Sequence, residues 1–86
     1  MEIDKLRADI DLIDERIVTL LSERKKNVMQ IGKIKKESKK PILVAEREAE
    51  IISRLKKKAV EIGADPELVE CLFGMILKNS KRVQEK

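Results

Sequence analysis

From Ile3 to Lys36 the apolar residues fall at Ile3, Leu6, Ile10, Ile13, Ile17 and Leu20, then at Ile31 and Ile34, in steps of three and four. That spacing predicts one long amphipathic helix with a core-facing stripe. The stripe is interrupted. Counting on from Leu20 puts Arg24 and Asn27 where hydrocarbon is due, while Arg7 and Lys35 lie on the adjoining row with Asp14, Leu21 and Val28. The helix is expected to begin near Asp4 and end by Glu37 or Ser38, because Pro41 disfavours helix at the residue before it and has no backbone N–H. About 33 residues at 1.5 Å each give a rod roughly 50 Å long. A compact chain of this length has a diameter on the order of 30 Å, so the rod overshoots its own globule.

After a polar loop, Glu37-Ser38-Lys39-Lys40-Pro41, the segment Ile42-Leu43-Val44 leads into a second helix over about Ala45 to Ile62, with Gly63 as its C-terminal cap. Ile51, Ile52, Leu55, Ala59 and Ile62 share one side of it. Lys56, Lys57, Lys58 and Glu61 fall mostly outside, and the apolar row extended backward reaches Arg47 and Glu48. Asp65-Pro66-Glu67 then marks a third start, with Asp65 as N-cap and Pro66 at the first helical position. This helix runs to about Gln84 and is expected to bury Val69, Leu72, Phe73, Ile76 and Leu77; its row continues as Ser80 and Gln84.

The elements predict an all-α fold, one long and two shorter helices in a single domain spanning residues 1–86. Two helices near 27 Å each cannot cover a rod of 50 Å, on the rise of about 1.5 Å per residue. A homodimer with the long helices antiparallel, an intertwined six-helix bundle, is the simplest remedy.

Composition narrows the chemistry. The chain is 42% hydrophobic with Phe73 as its one aromatic, so the core is aliphatic. Without His and with one Cys, the usual zinc and transition-metal ligand sets are missing, as is the commonest acid–base group near neutral pH. Cys71, beside Leu68, Val69 and Leu72, reads as a buried thiol in a reducing, cytoplasmic setting. There is no basic-then-apolar leader at Met1 and no apolar run long enough to span a membrane. The net charge of +4 suits an anionic ligand, large or small.

The polar interruptions are the candidate site: Arg24 and Lys35 on the first helix, Arg47 and Glu48 on the second, Ser80 and Gln84 on the third. Arg24 and Lys35 are eleven residues apart, so they share a face at about 16 Å, and long side chains can close on a ligand between them. Cations on a buried row need either an ion pair, with Glu48 for instance, or an anionic ligand. Taken singly, each of these residues also reads as a snorkelling side chain, a surface ion pair or a solvated helix end. Arg7 lies about 25 Å from Arg24 along the same rod. An antiparallel dimer with its axis near Asp14 to Ile17 brings Arg7 of one chain level with Arg24 of the other, making two composite sites.

The ordered set Leu6-Arg7, Ile10, Ile13-Asp14, Leu20-Leu21-Ser22-Glu23-Arg24, Ile31-Gly32-Lys33-Ile34-Lys35, Pro41-Ile42, Glu46-Arg47-Glu48, Phe73, Ser80 and Gln84 resembles the all-helical class of chorismate mutases over nearly the whole chain. The resemblance implies rearrangement of chorismate to prephenate in aromatic amino-acid biosynthesis, without cofactor or covalent intermediate. Carried over by position, Arg24 and the partner chain's Arg7 hold the substrate carboxylates, for which guanidinium geometry is suited. Lys35 and Gln84 donate to the breaking ether oxygen, Glu48 accepts from the ring hydroxyl, and Arg47 and Ser80 complete the carboxylate end. The pattern departs at Leu43-Val44, where relatives often carry polar residues, including an Asp near the ring hydroxyl. Val44 cannot make that bond, which leaves Glu48 or backbone to recognise the hydroxyl.

Three other functions compete. Isochorismate-pyruvate lyases share the fold. A helical nucleic-acid-binding module would use Lys33, Lys35, Lys36, Lys39, Lys40 and Lys56 to Lys58, against which stand the lack of Trp and Tyr and the 16 interspersed acidic residues. A dimerisation module docking non-covalently on another enzyme of the aromatic pathway is the third.

Overall fold

Between Glu2 and Ile31 the chain contains neither glycine nor proline, so nothing in that stretch weakens or kinks a helix. The computed structural model describes residues 2–38 and 45–85, and in it α1 runs unbroken over Glu2–Ser38. Glu2 and Asp4 in its first turn and Lys35 and Lys36 in its last complement the helix dipole. The helix therefore starts slightly earlier than the pattern predicts and ends at Ser38, within the expected bound. The expectations for the loop that follows, Lys39 to Val44 with the departure at Val44, lie outside the described residues.

The second helix, α2, spans Ala45–Ile62, and α3 spans Pro66–Glu85. Gly63 ends α2 in the left-handed region at φ 80. Its N–H donates to the Val60 carbonyl at 3.4 Å and that of Ala64 to the Ala59 carbonyl at 2.7 Å, which is the paired bonding of a Schellman cap. Two residues on, Asp65 Oδ1 accepts from the N–H of Glu67 at 2.9 Å and of Leu68 at 3.5 Å, capping α3. The two caps fold α2 and α3 into a helical hairpin, tied across by Lys56 Nζ donating to Glu70 Oε1 at 2.7 Å. That carboxylate's hydrogen bond, then its charge, raises the Lys56 pKa.

Among the described residues α3 is the element whose backbone approaches both others, so it is the middle layer. Val28 and Gly32 of α1, Ile51 and Ala59 of α2 and Ser80 of α3 are the buried positions. The molecule measures 57 × 23 × 15 Å, its long dimension that of α1, and its radius of gyration is 16.0 Å, against about 12 Å for a compact chain of this size.

Several residues expected in the core are not covered within one chain. The predicted stripe of α1 is solvent-exposed along its length, Ile10 at 53% and Ile34 at 60%. The row that faces α3 is the adjoining one, with Val28, Gly32 and the half-buried Arg24 and Lys35. On α2, Ile62 is 65% exposed. On α3, Leu68, Cys71, Leu72 and Met75 form an exposed row, so the Cys71 thiol is open to solvent rather than buried. The cause is length: α3, with α2 behind it, covers only one end of α1.

Candidate functional site

Three helical rows converge on one cavity of about 270 Å³. Along α1, Arg24, Val28, Ile31 and Lys35 stand three or four positions apart and so present one face. From α2 come Arg47, Glu48 and Ile51, all in its first two turns, and from α3 come Leu77, Ser80, Lys81 and Gln84, again at helical spacing. The apolar members Val28, Ile31, Ile51 and Leu77 wall the space. Arg24, Lys35, Arg47 and Lys81 set four cations against the single carboxylate of Glu48.

Arg24 is tied to α3. Its Nη1 donates to Ser80 Oγ, while the Ser80 hydroxyl donates back to the Ile76 carbonyl one turn earlier at 2.9 Å. Ser80 is buried and its hydroxyl is thereby fully employed in aiming the guanidinium. Burial, and then the positive charge of Arg47, lower the Arg24 pKa from its ordinary value. Among the described residues no carboxylate pairs with Arg24. A site that disfavours its own cation is one that a bound anion stabilises.

Arg47 is more open than its place on an apolar row predicts. Its guanidinium meets Glu50 on its own helix at 2.8 Å, with the two side chains 58% and 64% exposed. It stands at the rim, and Glu48 behind it is half-buried. Gln84 is also half-buried, and its amide oxygen accepts no hydrogen bond from any described residue.

Of the residues singled out in the sequence, Arg24, Lys35, Arg47, Glu48, Ser80 and Gln84 line this one cavity. Arg7 does not; it is exposed on the bare end of α1. Two contributors, Lys81 and Gly32, are not among the candidate site residues of the sequence. Lys81 sits three positions before Gln84 and four after Leu77, so extending the α3 row finds it. Gly32 is buried against Gln84, and a glycine inside a helix, where alanine is more stable, is itself a signal of close approach. Among the described residues no group of three or more His, Cys, Asp or Glu is arranged to hold a metal ion. No helix there is long and apolar enough to cross a membrane.

A second, larger groove of about 620 Å³ opens between α1 and α3 and shares Arg24, Val28 and Ser80 with the cavity. Val18, Leu21, Leu72, Met75, Ile76 and Val83 make it mainly hydrocarbon. Its chemistry suits a helix face better than a small anion.

The sequence model of type II chorismate mutases matches residues 6–85, all three helices and the whole cavity. The chain belongs to the type II chorismate mutase family. Among its relatives, the T-protein of Enterobacter agglomerans is 33% identical over 79 residues, 92% of this chain and 21% of that protein. The bifunctional chorismate mutase/prephenate dehydratase of Aquifex aeolicus is 44% identical over 61 residues, 71% of this chain and 17% of that one. A chorismate mutase of Methanocaldococcus jannaschii is 29% identical over 82 residues, covering 95% of this chain and 83% of the relative. This type II chorismate mutase family member thus spans about a fifth of the first two relatives and most of the third.

Proposed function

We propose that this type II chorismate mutase family member converts chorismate to prephenate, as a homodimer in the cytoplasm. The observation that carries the reading is the cavity itself, where four cations face one carboxylate and Arg24 is half-buried, held by Ser80 and without a carboxylate partner among the described residues. Chorismate is a dianion, and its rearrangement breaks one C–O bond as one C–C bond forms within the same molecule. No proton, electron or fragment has to be delivered.

The residues then work by position and charge. Arg24, aimed by Ser80, grips one carboxylate, and Arg47 closes over the substrate from the rim. Lys35 and Gln84 donate to the ether oxygen as negative charge develops there, Glu48 accepts from the ring hydroxyl, and Lys81 adds positive potential. Folding the substrate into its reactive conformer and stabilising that oxygen together supply at least about 8 kcal/mol, the lower end of enzymatic accelerations. Gln84 is an amide, so its donation needs no acidic pH.

The second carboxylate falls to Arg7 of a second copy, seated where the exposed stripe of α1 and the apolar groove between α1 and α3 meet a partner chain. A dimer covers Ile10, Ile13 and Ile17 and completes the cavity in one step. The bifunctional relatives further support association with another enzyme of the aromatic pathway.

Incubating the purified chain with chorismate tests the activity: prephenate is the expected product. Pyruvate release from isochorismate, with chorismate untouched, assigns the lyase reaction instead, and no turnover of either favours a docking or dimerisation module. Sharing of sites has its own assay. Mixing inactive Arg7→Ala and inactive Arg24→Ala dimers restores activity, because each heterodimer regains one intact site; no recovery after verified subunit exchange rejects the shared site.

A further inference from the structure

We propose that Gly32 is a positioning residue for the reaction: the side chain it lacks lets the last turn of α3 close on α1 and so sets where the Gln84 amide enters the cavity. A Cβ built on Gly32 lies 3.0 Å from Gln84 Cα and 3.2 Å from both its Cβ and its Cγ. The nearest of these atoms is backbone and cannot rotate aside, so a methyl group there moves the α3 turn by a few tenths of an ångström. The contrast with the other glycines is direct. Gly63 serves a left-handed turn with open space around it, and Gly74 has nothing within 4 Å of its Cβ position.

At the far end of Gln84 the amide oxygen is buried and finds no donor among the described residues, so packing of the Gln84 stem on Gly32 is what locates it. Turning the amide about Cγ–Cδ exchanges oxygen for NH₂ in the same outline, which puts a donor at that buried point. Gly32 lies on α1 between the two cations of the cavity wall, eight residues after Arg24 and three before Lys35. The contact therefore sets the Gln84 amide in register with Lys35. This inference rests on the reading that Gln84 donates to the ether oxygen.

Gly32→Ala tests it. Because a donor misplaced by a fraction of an ångström loses its hold mainly in the transition state, kcat falls by about tenfold while KM stays within about twofold. In a Gln84→Ala background, the same Gly32 substitution changes kcat by less than about twofold, since the group it positions is already gone. Equal losses in the two backgrounds, a parallel change in KM, an unchanged kcat, or loss of the helical fold would each overturn the proposal. An independent readout comes from the Gln84 side-chain NH₂ resonances, identified by their disappearance in Gln84→Ala. They shift in Gly32→Ala; if they stay in place, the contact is refuted whatever the wild type does with chorismate. A wild-type chain that leaves chorismate unconsumed sinks the mutase reading instead, so the two failures are separable.

Discussion

The two halves of α1 invert the usual relation between hydrophobicity and burial. Its first half carries Ile3, Leu6, Ile10, Ile13, Ile17 and Leu20, yet all of it is exposed. Its second half carries Arg24 and Lys35, yet there the helix is covered, with Val28 and Gly32 buried. Composition is not what separates them. The α2–α3 hairpin reaches only the second half, and a stripe of hydrocarbon is buried only where a second surface meets it. The polar half can be the covered half because its cations border a cavity, with Ser80 accepting a hydrogen bond from Arg24. The apolar half is left as a surface that a second copy would complete.

This contrast can be broken from either side. In the covered half, Arg24→Ala removes a half-buried cation of the cavity, and steady-state kinetics should show a loss of about a thousandfold in kcat/KM, the upper range for deleting one charge-stabilising donor. Circular dichroism should be unchanged, since the one hydrogen bond the residue gives up among the described residues is that to Ser80, outside the helix backbone. A variant with wild-type turnover would detach the cavity from the reaction.

In the bare half, the telling change is Ile13→Ala. If a second chain covers this stripe in solution, truncation costs about 2–4 kcal/mol per chain, as for a core isoleucine, and the denaturation midpoint depends on protein concentration. A side chain that stays in water costs within about 0.5 kcal/mol on the same change. Chemical denaturation at two protein concentrations, with sedimentation equilibrium, separates these outcomes. The smallest expected effect is at the hinge of the covering hairpin, where Gly63→Ala forces a Cβ into a left-handed conformation at a cost of about 1 kcal/mol. Its thermal midpoint should drop by several degrees, with kcat retained, because the cap shapes the hairpin and touches no cavity residue.

Element boundaries were legible in the sequence because their causes are local. Asp65 and Pro66 start α3 and Gly63 stops α2 by chemistry contained within a few residues, and the caps are found at those positions. Arg24, Lys35, Arg47, Glu48, Ser80 and Gln84 could be grouped because each interrupts an apolar row, and rows facing one interior must meet. The α1 interior was harder. Periodicity shows that a stripe exists, but the Ile10–Ile13–Ile17 stripe and the Leu21–Arg24–Val28 row lie side by side. Which of them faces α3 depends on helix rotation, set by the best packing rather than by the apolar count. Cys71 and Leu72 follow the same logic, since both sit on an apolar row that the described residues leave exposed.

The sequence by itself determined three helices, where they cap, an excess of length in the first and a set of cations out of place on apolar rows. All of these depend on interactions within one helical turn or on simple periodicity. Only the tertiary structure decided that α3 is the middle layer, that Ser80 accepts from Arg24, that Arg47 stands at the rim with Glu50, and that Gly32 lies close against Gln84. Those facts depend on distances between residues far apart in the chain, which are fixed when helices choose their rotation and depth of contact. No local pattern encodes that choice, because it minimises the packing energy of the whole assembly at once.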